Sequence, residues 1–472
     1  MDVCVIGAGP AGATAALRAA ELGAKTVLIT SGAFGGMAAN DGPVPVRTLA
    51  HAARLLRDAR QLGRYGIKVS EPVLDYSDLL DRVREVVEDA RAHSSFRELV
   101  DSLGVVVHER TGGARFSGPN SVEAKNGLQL KADKFIICTG GTSRRLDVPG
   151  AELTATHSDA WGLTSVPPSM LVIGAGATGA QVASIFNAFG CRIQLFQAGP
   201  RILPTEDADI SSAVAAAFRA SGIAVHEAFG EIQSFEKTAD GIRMNYTKNG
   251  TSNSAEAALA VVAIGWVSNA AELNLTAAGV ETDRRGFVKV DGFMRTSAPH
   301  VFAAGDVTGG LMLVPQAIQS AFVAATNAVG KSEVKYENRV SPIGSFTDPE
   351  YAQVGLTETQ ARESHDIVKA VLTFDTTTRT IIDGRTAGFC KMIVDRATHK
   401  ILGCHVMGER AVEITQVASI AIAAGMKVEE LAQVPLSFPT YAGILGRVAV
   451  KAAHQMNLDM KWVANDVERS RT

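Results

Sequence analysis

Short apolar runs that break at glycine, each followed by an alanine-rich helical stretch, recur along the chain. Residues 1–6 (MDVCVI) run into 7–12 (GAGPAG) and then into 13–22, while 170–173 run into 174–179 (GAGATG) and then into 180–189. A short apolar run closed by turn residues predicts a buried strand, and a longer run of good helix formers predicts a helix. By the same pattern strands are expected at 105–108, 135–141 (FIICTGG) and 259–265 (LAVVAIG), with 301–306 (VFAAGD) closing the region, and helices at 75–92 and 314–329. After a polar stretch at 330–339 the pattern changes. Alternating apolar runs within 345–355 and 388–406, with helical stretches at 409–425 and 428–434, predict an α+β module without a glycine turn of this kind.

Strand, GxGxxG turn and helix in that order make a dinucleotide fold. Gly7 makes the tight turn, Gly9 lets the backbone approach a pyrophosphate and Gly12 lets helix and strand pack closely; Gly174, Gly176 and Gly179 repeat these roles. The helix N-terminus then faces the phosphates with unpaired N–H groups. Two such units in one chain predict two dinucleotides, most economically a flavin that takes hydride from a nicotinamide.

Composition narrows the class. The 472 residues hold 46 Lys and Arg against 49 Asp and Glu, a net charge of −3, so no overall field recruits nucleic acid or an anionic membrane. No apolar run approaches the roughly 20 residues of a membrane helix. The first strand starts too near Met1 to leave room for a signal peptide, which makes the cytoplasm the expected compartment. Cys4, Cys138, Cys191, Cys390 and Cys404 show no close pairing in sequence, which disfavours a metal site, a local dithiol and a secreted disulfide framework.

With its motifs in this order over nearly the whole length, the chain resembles the pyridine nucleotide–disulfide oxidoreductases, the family of lipoamide dehydrogenase, glutathione reductase and mercuric reductase. The likeness rests on GAGPAG, TGG at 139–141, GAGATG, AIG at 263–265, AAGDV at 303–307, FTDPEYAQVGLTE at 346–358 and GFCKMIVDRATHKILGCHVMG at 388–408. It implies an α/β chain with two Rossmann-like dinucleotide-binding domains, for FAD and NAD(P), plus a C-terminal α+β dimerisation domain. The implied bounds are 1–150 and 271–338 for FAD, 151–270 for NAD(P) and 339–472 for dimerisation. A homodimer is implied, with an active site that borrows residues from the partner subunit. FAD contacts are implied at Gly7, Gly9, Gly12, Thr30, Gly36, Thr139, Gly140 and Asp306, and NAD(P) contacts at Gly174, Gly176, Gly179, Gln197 and Gly265. Asp306 matches the aspartate that hydrogen-bonds the flavin's ribityl chain; otherwise it is a loop aspartate that caps the next helix.

Against that family, the chemistry-bearing positions are empty. Its redox dithiol lies in a segment of the form GGTCxxxxCxPSK, where residues 35–48 read GGMAANDGPVPVRT, with Ala38 and Pro43 at the cysteine positions. Met37 is a thioether and cannot exchange with a disulfide. The family's acid–base His-Pro-Thr and following glutamate correspond to SFPTYAG at 437–443, with Phe438 for the histidine and Gly443 for the glutamate. Thiols and their proton donor are thus lost together, and Phe438–Pro439 is a candidate cis bond. The lysine beside flavin N5 becomes Arg47 and its glutamate partner Gln181, which keeps a cation and hydrogen bonding without the ion pair. Otherwise Arg47 begins a solvated helix with Arg54, Arg57, Arg60 and Arg64. Ala177 replaces the aromatic that gates the nicotinamide in many relatives.

The carboxylate expected about 20 residues past the first glycine of each unit is absent: Thr30 and Gln197 stand there. Its loss weakens ribose binding, and at Gln197 it also lifts repulsion of a 2′-phosphate, favouring NADPH or dual use over strict NADH. The expected function is an FAD-dependent NAD(P)H oxidoreductase, not a disulfide reductase, that passes electrons from reduced flavin to a small acceptor such as a quinone. Arg47, Gln181, Phe438 and Tyr441 are then flavin-proximal or substrate-lining. Met37, Phe438 and Tyr441 form an apolar slot for a flat substrate, or else fill the volume left by the missing groups. The alternatives are a soluble pyridine nucleotide transhydrogenase and, without enzymatic activity, a degenerate flavoprotein that serves as a binding or redox-sensing subunit.

Overall fold

The computed structural model describes residues 1–93, 95–330, 333–337 and 340–460. The polar stretch expected at 330–339 and the end of the 339–472 module lie partly outside the described residues. The chain divides into two compact units: Met1–Leu146 with Ala155–Ser165 and Ile264–Asn338, and Asp147–Thr154 with Val166–Ala263 and Arg339–Thr472.

In the first unit Val3–Ile6 is wholly buried at the centre of a parallel sheet. Thr26–Ile29 and then Val106–His108 lie on one side of it, and Lys134–Ile137 and then Val301–Ala303 on the other. Helices or loops cover both faces, which is why the strands read as unbroken apolar runs. Val3 and Val5 pack with Ala11 and Ala15 of the helix Pro10–Glu21, while Cys4 and Ile6 point the other way, toward Phe116 and Phe135. Successive residues of a strand face opposite sides, so one short run serves two cores. Helix Val314–Val329, with the bounds its apolar period predicts, receives a hydrogen bond at Thr326 Oγ1 from Arg18 Nε at 3.0 Å.

The expected strand 135–141 is in fact two. Lys134–Ile137 ends before a turn in which Gly140 takes φ +76°, and Gly141–Ser143 then pairs antiparallel with Trp266–Ser268. Likewise 259–265 is a strand only over Leu259–Val262, with Gly265 at φ +107° beyond it. An apolar run does not reveal the residue at which the backbone turns left-handed; glycine allows that turn without steric cost.

In the second unit Ser169–Ile173 is flanked by Arg192–Gln197 and Leu259–Val262, with Ala224–Glu227 outside the former, again all parallel. Helix Ala177–Ala188 follows its glycine turn. The C-terminal module carries an antiparallel sheet in the order Ile343–Ser345, Tyr351–Gly355, Ile401–Gly408, Gly388–Asp395, Ile367–Thr373. Helices Ala411–Ala423 and Gly443–Gln455 contribute Ile414, Leu445 and Val448 to a core with Met392, Val394 and Val406. The helix expected from 409 starts at Ala411, because Arg410 is left-handed at φ +61°.

Candidate functional site

The two glycine turns separate glycines that the backbone needs from glycines that leave room in front of it. A Cβ on Gly7 would lie 2.2 Å from the Cys138 carbonyl oxygen, one on Gly12 1.7 Å from that of Gly7, and one on Gly179 1.8 Å from that of Gly174. These contacts forbid a side chain. At Gly9 the nearest atom to a Cβ is Gly36 Cα at 3.8 Å, and at Gly176, Gly140 and Gly265 nothing lies within 4 Å. Open space before Gly9 and Gly176 adjoins the first turns of Pro10–Glu21 and Ala177–Ala188, where unpaired N–H groups attract phosphate.

Buried polar groups near the first turn fit a bound nucleotide. Thr14 Oγ1 and Thr139 Oγ1 are buried without a hydrogen-bond partner, an arrangement that costs stability until something satisfies it. Asp306, on the short helical turn Gly305–Thr308, has its carboxyl pKa raised by burial. It does not cap the next helix, whose N-cap is Leu313 without a side-chain cap. Thr30 is buried at the end of its strand, where its N–H donates to His108 and its carbonyl accepts from Thr111 N and Oγ1. The carboxylate close to this strand end is Glu109, which accepts from Phe34 N at 2.8 Å and pairs with Arg97. Sequence spacing does not point to it. In the second turn Gln197 Oε1 accepts from Ala175 N at 3.0 Å, so this side chain holds the turn from inside.

The segment with Ala38 and Pro43 sits directly on the first turn. Gly35 N donates to the Ala8 carbonyl at 2.9 Å, and a Cβ on Gly36, at φ +57°, would come within 2.6 Å of Gly9 Cα. Gly36–Asn40 is a short helix ended by Asp41 and Gly42, whose N–H groups both return to the Met37 carbonyl. Pro43 then opens the helix Pro43–Gln61, a position where its missing N–H is harmless. Asn40 Nδ2 donates to the Phe34 and Gly36 carbonyls, which fixes the turn.

All five cysteines are free and buried elsewhere. Burial pushes the thiols of Cys4, Cys138 and Cys191 up to about 12, far from the thiolate range needed for exchange. Cys390 and Cys404 approach to 3.8 Å between sulfurs on adjacent strands, a proximity hidden in the sequence. Contact with Cys404, together with burial, holds the Cys390 thiol well above its usual range.

Arg47 is exposed on the helix Pro43–Gln61, whose other face buries Pro45, Val46, Leu49, Ala50 and Ala53. Gln181 is engaged inside the second unit: its Oε1 accepts from Phe346 N at 3.4 Å and its Nε2 donates to the Ala177 carbonyl at 3.3 Å. Phe438 is 82% exposed, and the Phe438–Pro439 bond is cis. Tyr441 is held within its own module, its hydroxyl donating to Asp383 Oδ2 at 2.7 Å beneath the Arg379 guanidinium. A cluster without a sequence signal joins Asp41, Ser158, His157 and Ser143. Among the described residues no helix is long and apolar enough to cross a membrane, and no cluster of three or more His, Cys, Asp or Glu could hold a metal ion.

Comparison with known proteins places this geometry. Residues 1–321 match the family described as pyridine nucleotide-disulphide oxidoreductase, and residues 341–449 match its dimerisation domain. The chain is 32% identical over 444 residues to mercuric reductase of Lysinibacillus sphaericus, covering 93% of this chain and 80% of that protein. It is 30% identical over 463 residues to dihydrolipoyl dehydrogenase of Chlorobaculum tepidum, covering 96% and 97%. In fold it is similar to the HOCl-induced flavoprotein disulfide reductase RclA from Escherichia coli, with a TM-score of 0.85, 24% identity and coverage of 95% of this chain and 99% of that one. The chain belongs to the pyridine nucleotide-disulphide oxidoreductase family, whose members bind FAD and NAD(P)H.

Proposed function

We propose that this protein is a flavin-dependent NAD(P)H oxidoreductase that works without a redox dithiol and reduces a small acceptor of the quinone type directly. The observation that carries the proposal is the 35–43 segment: it rests on Gly9 as part of the first nucleotide turn, yet it presents Ala38 and Pro43, and every cysteine is buried elsewhere. FAD, when bound, supplies a two-electron store between NAD(P)H and the acceptor.

The remaining roles fall to the chain's own residues. Gly7, Gly9, Gly12, Gly36, Thr139, Gly140 and Asp306 cradle FAD, with Thr30 at its ribose, in a domain spanning 1–150 and 271–338. Gly174, Gly176, Gly179, Gln197 and Gly265 cradle NAD(P)H in 151–270. Gln197 carries no charge to repel a 2′-phosphate, so NADPH is accepted. Arg47 supplies the fixed cation beside the flavin. The module 339–472 pairs two copies, and the exposed Phe438 of one copy covers the acceptor site of the other.

Anaerobic titration of FAD-loaded protein with NADPH tests this. Uptake of two electrons per flavin, no long-wavelength thiolate–flavin absorbance and turnover with menadione are expected. Turnover of lipoamide or of mercuric ion would overturn the proposal, and hydride exchange between NADPH and an NAD analogue without quinone reduction would identify a transhydrogenase instead.

A further inference from the structure

Quinone reduction consumes protons, and the family's proton donor is replaced by Phe438. A different set of groups meets the 36–42 turn within the first unit. His157, 4% exposed, opens the short helix His157–Trp161. Its Nδ1 lies 3.1 Å from Ser143 Oγ and its Nε2 3.4 Å from Ser158 Oγ. The Ser158 hydroxyl donates to Asp41 Oδ2 at 2.5 Å. A serine has one proton to give, so this donation fixes the direction of the whole chain. Ser158 turns a lone pair toward Nε2–H of His157, and the Ser143 hydroxyl donates to Nδ1. Hydrogen bonds then run unbroken from Ser143 through His157 and Ser158 to Asp41.

The surroundings place this chain next to the flavin-binding elements. The His157 ring packs edge-on against Trp266 at 4.7 Å, and Gly141 brings together Trp266 and Asp306: a Cβ there would lie 3.9 Å from Trp266 Cε3 and 3.8 Å from Asp306 Cβ. At the other end Asp41 belongs to the turn that rests on Gly9. The charged groups around the imidazole are Asp41 and Asp159, and Asp159 is itself occupied by Thr156 N and Oγ1 and faced by Arg145. Burial lowers the His157 pKa against the pull of the two carboxylates, so the ring is neutral at pH 7 and can take a proton at one nitrogen while releasing one from the other.

We propose that Asp41, Ser158 and His157 form a proton relay to the acceptor site at the 36–42 turn, an inference that rests on the dithiol-free quinone reduction proposed above. The net reaction is NAD(P)H plus one proton plus quinone, giving NAD(P)+ and hydroquinone; the two electrons come from the nicotinamide. As Ser158 passes its hydroxyl proton to the Asp41 carboxylate, Asp41 hands a proton on to a quinone oxygen, where an O–H bond forms; Ser158 takes the Nε2 proton of His157, and Nδ1 regains a proton from solvent by way of Ser143. His157 and Ser158 act through Asp41 and are positioning and relay groups.

Half-reactions of FAD-loaded enzyme test the relay, with Asp41→Asn and Ser158→Ala as variants at positions that are not fully buried. NADPH-reduced protein is mixed anaerobically with menadione, which needs protons, or with ferricyanide, which takes electrons alone. Each variant is expected to slow reoxidation by menadione roughly a hundredfold and to flatten its pH dependence. Reoxidation by ferricyanide and reduction by NADPH should stay at the wild-type rate, and Asp41→Glu should recover most of the menadione rate. Unchanged menadione rates in both variants overturn the relay, as does equal slowing with both oxidants, which marks a purely structural clamp. Wild-type protein reoxidised by ferricyanide but not by menadione overturns the proposed function itself, and the relay with it.

Discussion

Lys391 Nζ lies 2.7 Å from Asp207 Oδ1, and both side chains are only 1% exposed. The same ammonium meets Asp209 and Glu358, each also at 2.7 Å. Burial disfavours a charged lysine, but hydrogen bonds from three carboxylates outweigh it and raise the Lys391 pKa. Removing the cation leaves the buried Asp207 carboxylate without its counter-charge, so Lys391→Met should cost about 3–5 kcal/mol of unfolding free energy. Asp209→Asn, at a half-exposed partner, should cost less than about 1 kcal/mol. Urea unfolding of the two variants checks the contrast. For Glu358, burial raises the carboxyl pKa but is outweighed by hydrogen bonds from Lys391, Arg362 and Lys369, which bring it down to about 2. Its folded value is depressed, so its contribution is present above the ordinary value of 4.5 and is lost as pH falls toward about 2.

Glu206 behaves in the opposite sense. It is 4% exposed, Oε2 has no partner, and burial raises its pKa to about 7. A carboxyl whose folded pKa is raised favours the fold below its ordinary value of 4.5 and loses that contribution as pH rises through about 7. Glu206→Gln should therefore raise Tm at alkaline pH and leave it nearly unchanged in mild acid. An equal Tm shift at both pH values would show that repacking, not ionisation, is responsible.

Gly176 and Gly179 should respond differently to the same added methyl. A Cβ at Gly176 has nothing within 4 Å, whereas one at Gly179 strikes the Gly174 carbonyl at 1.8 Å. Gly176→Ala should leave the Tm of the protein without nicotinamide unchanged and raise KM for NADPH at least about tenfold, because the methyl occupies the phosphate's approach. Gly179→Ala should lower Tm by forcing the helix off its strand. Thermal melts and NADPH kinetics on both variants separate the two roles.

The thiols should be silent in the folded protein. With all five cysteines buried and their pKa values raised where a shift is resolved, an aromatic disulfide reagent should titrate no fast thiol under native conditions and five after denaturation. A rapidly reacting native thiol would point to sulfur chemistry in turnover.

Local pattern carried the strands and helices that build the nucleotide folds, since each glycine turn, its strand and its helix are contiguous. Helix Val314–Val329 has the bounds its period predicts. What the pattern missed depends on residues brought together by folding. Asp41 and Ser158 are 117 positions apart, and neither stands at a position that a motif specifies. Cys390 and Cys404 look unrelated until antiparallel pairing places their strands side by side. The strand boundary near Gly140 was missed for another reason: a positive φ leaves no trace in hydropathy.

The contact of Gly36 with Gly9 makes two parts of the molecule mechanically one. Neither residue has a side chain to act as a spacer, so the first glycine turn is also the foundation of the turn from Met37 to Gly42. A side chain at Gly36 would strike Gly9 Cα at 2.6 Å and pry the turn from Met37 to Gly42 off the first glycine turn.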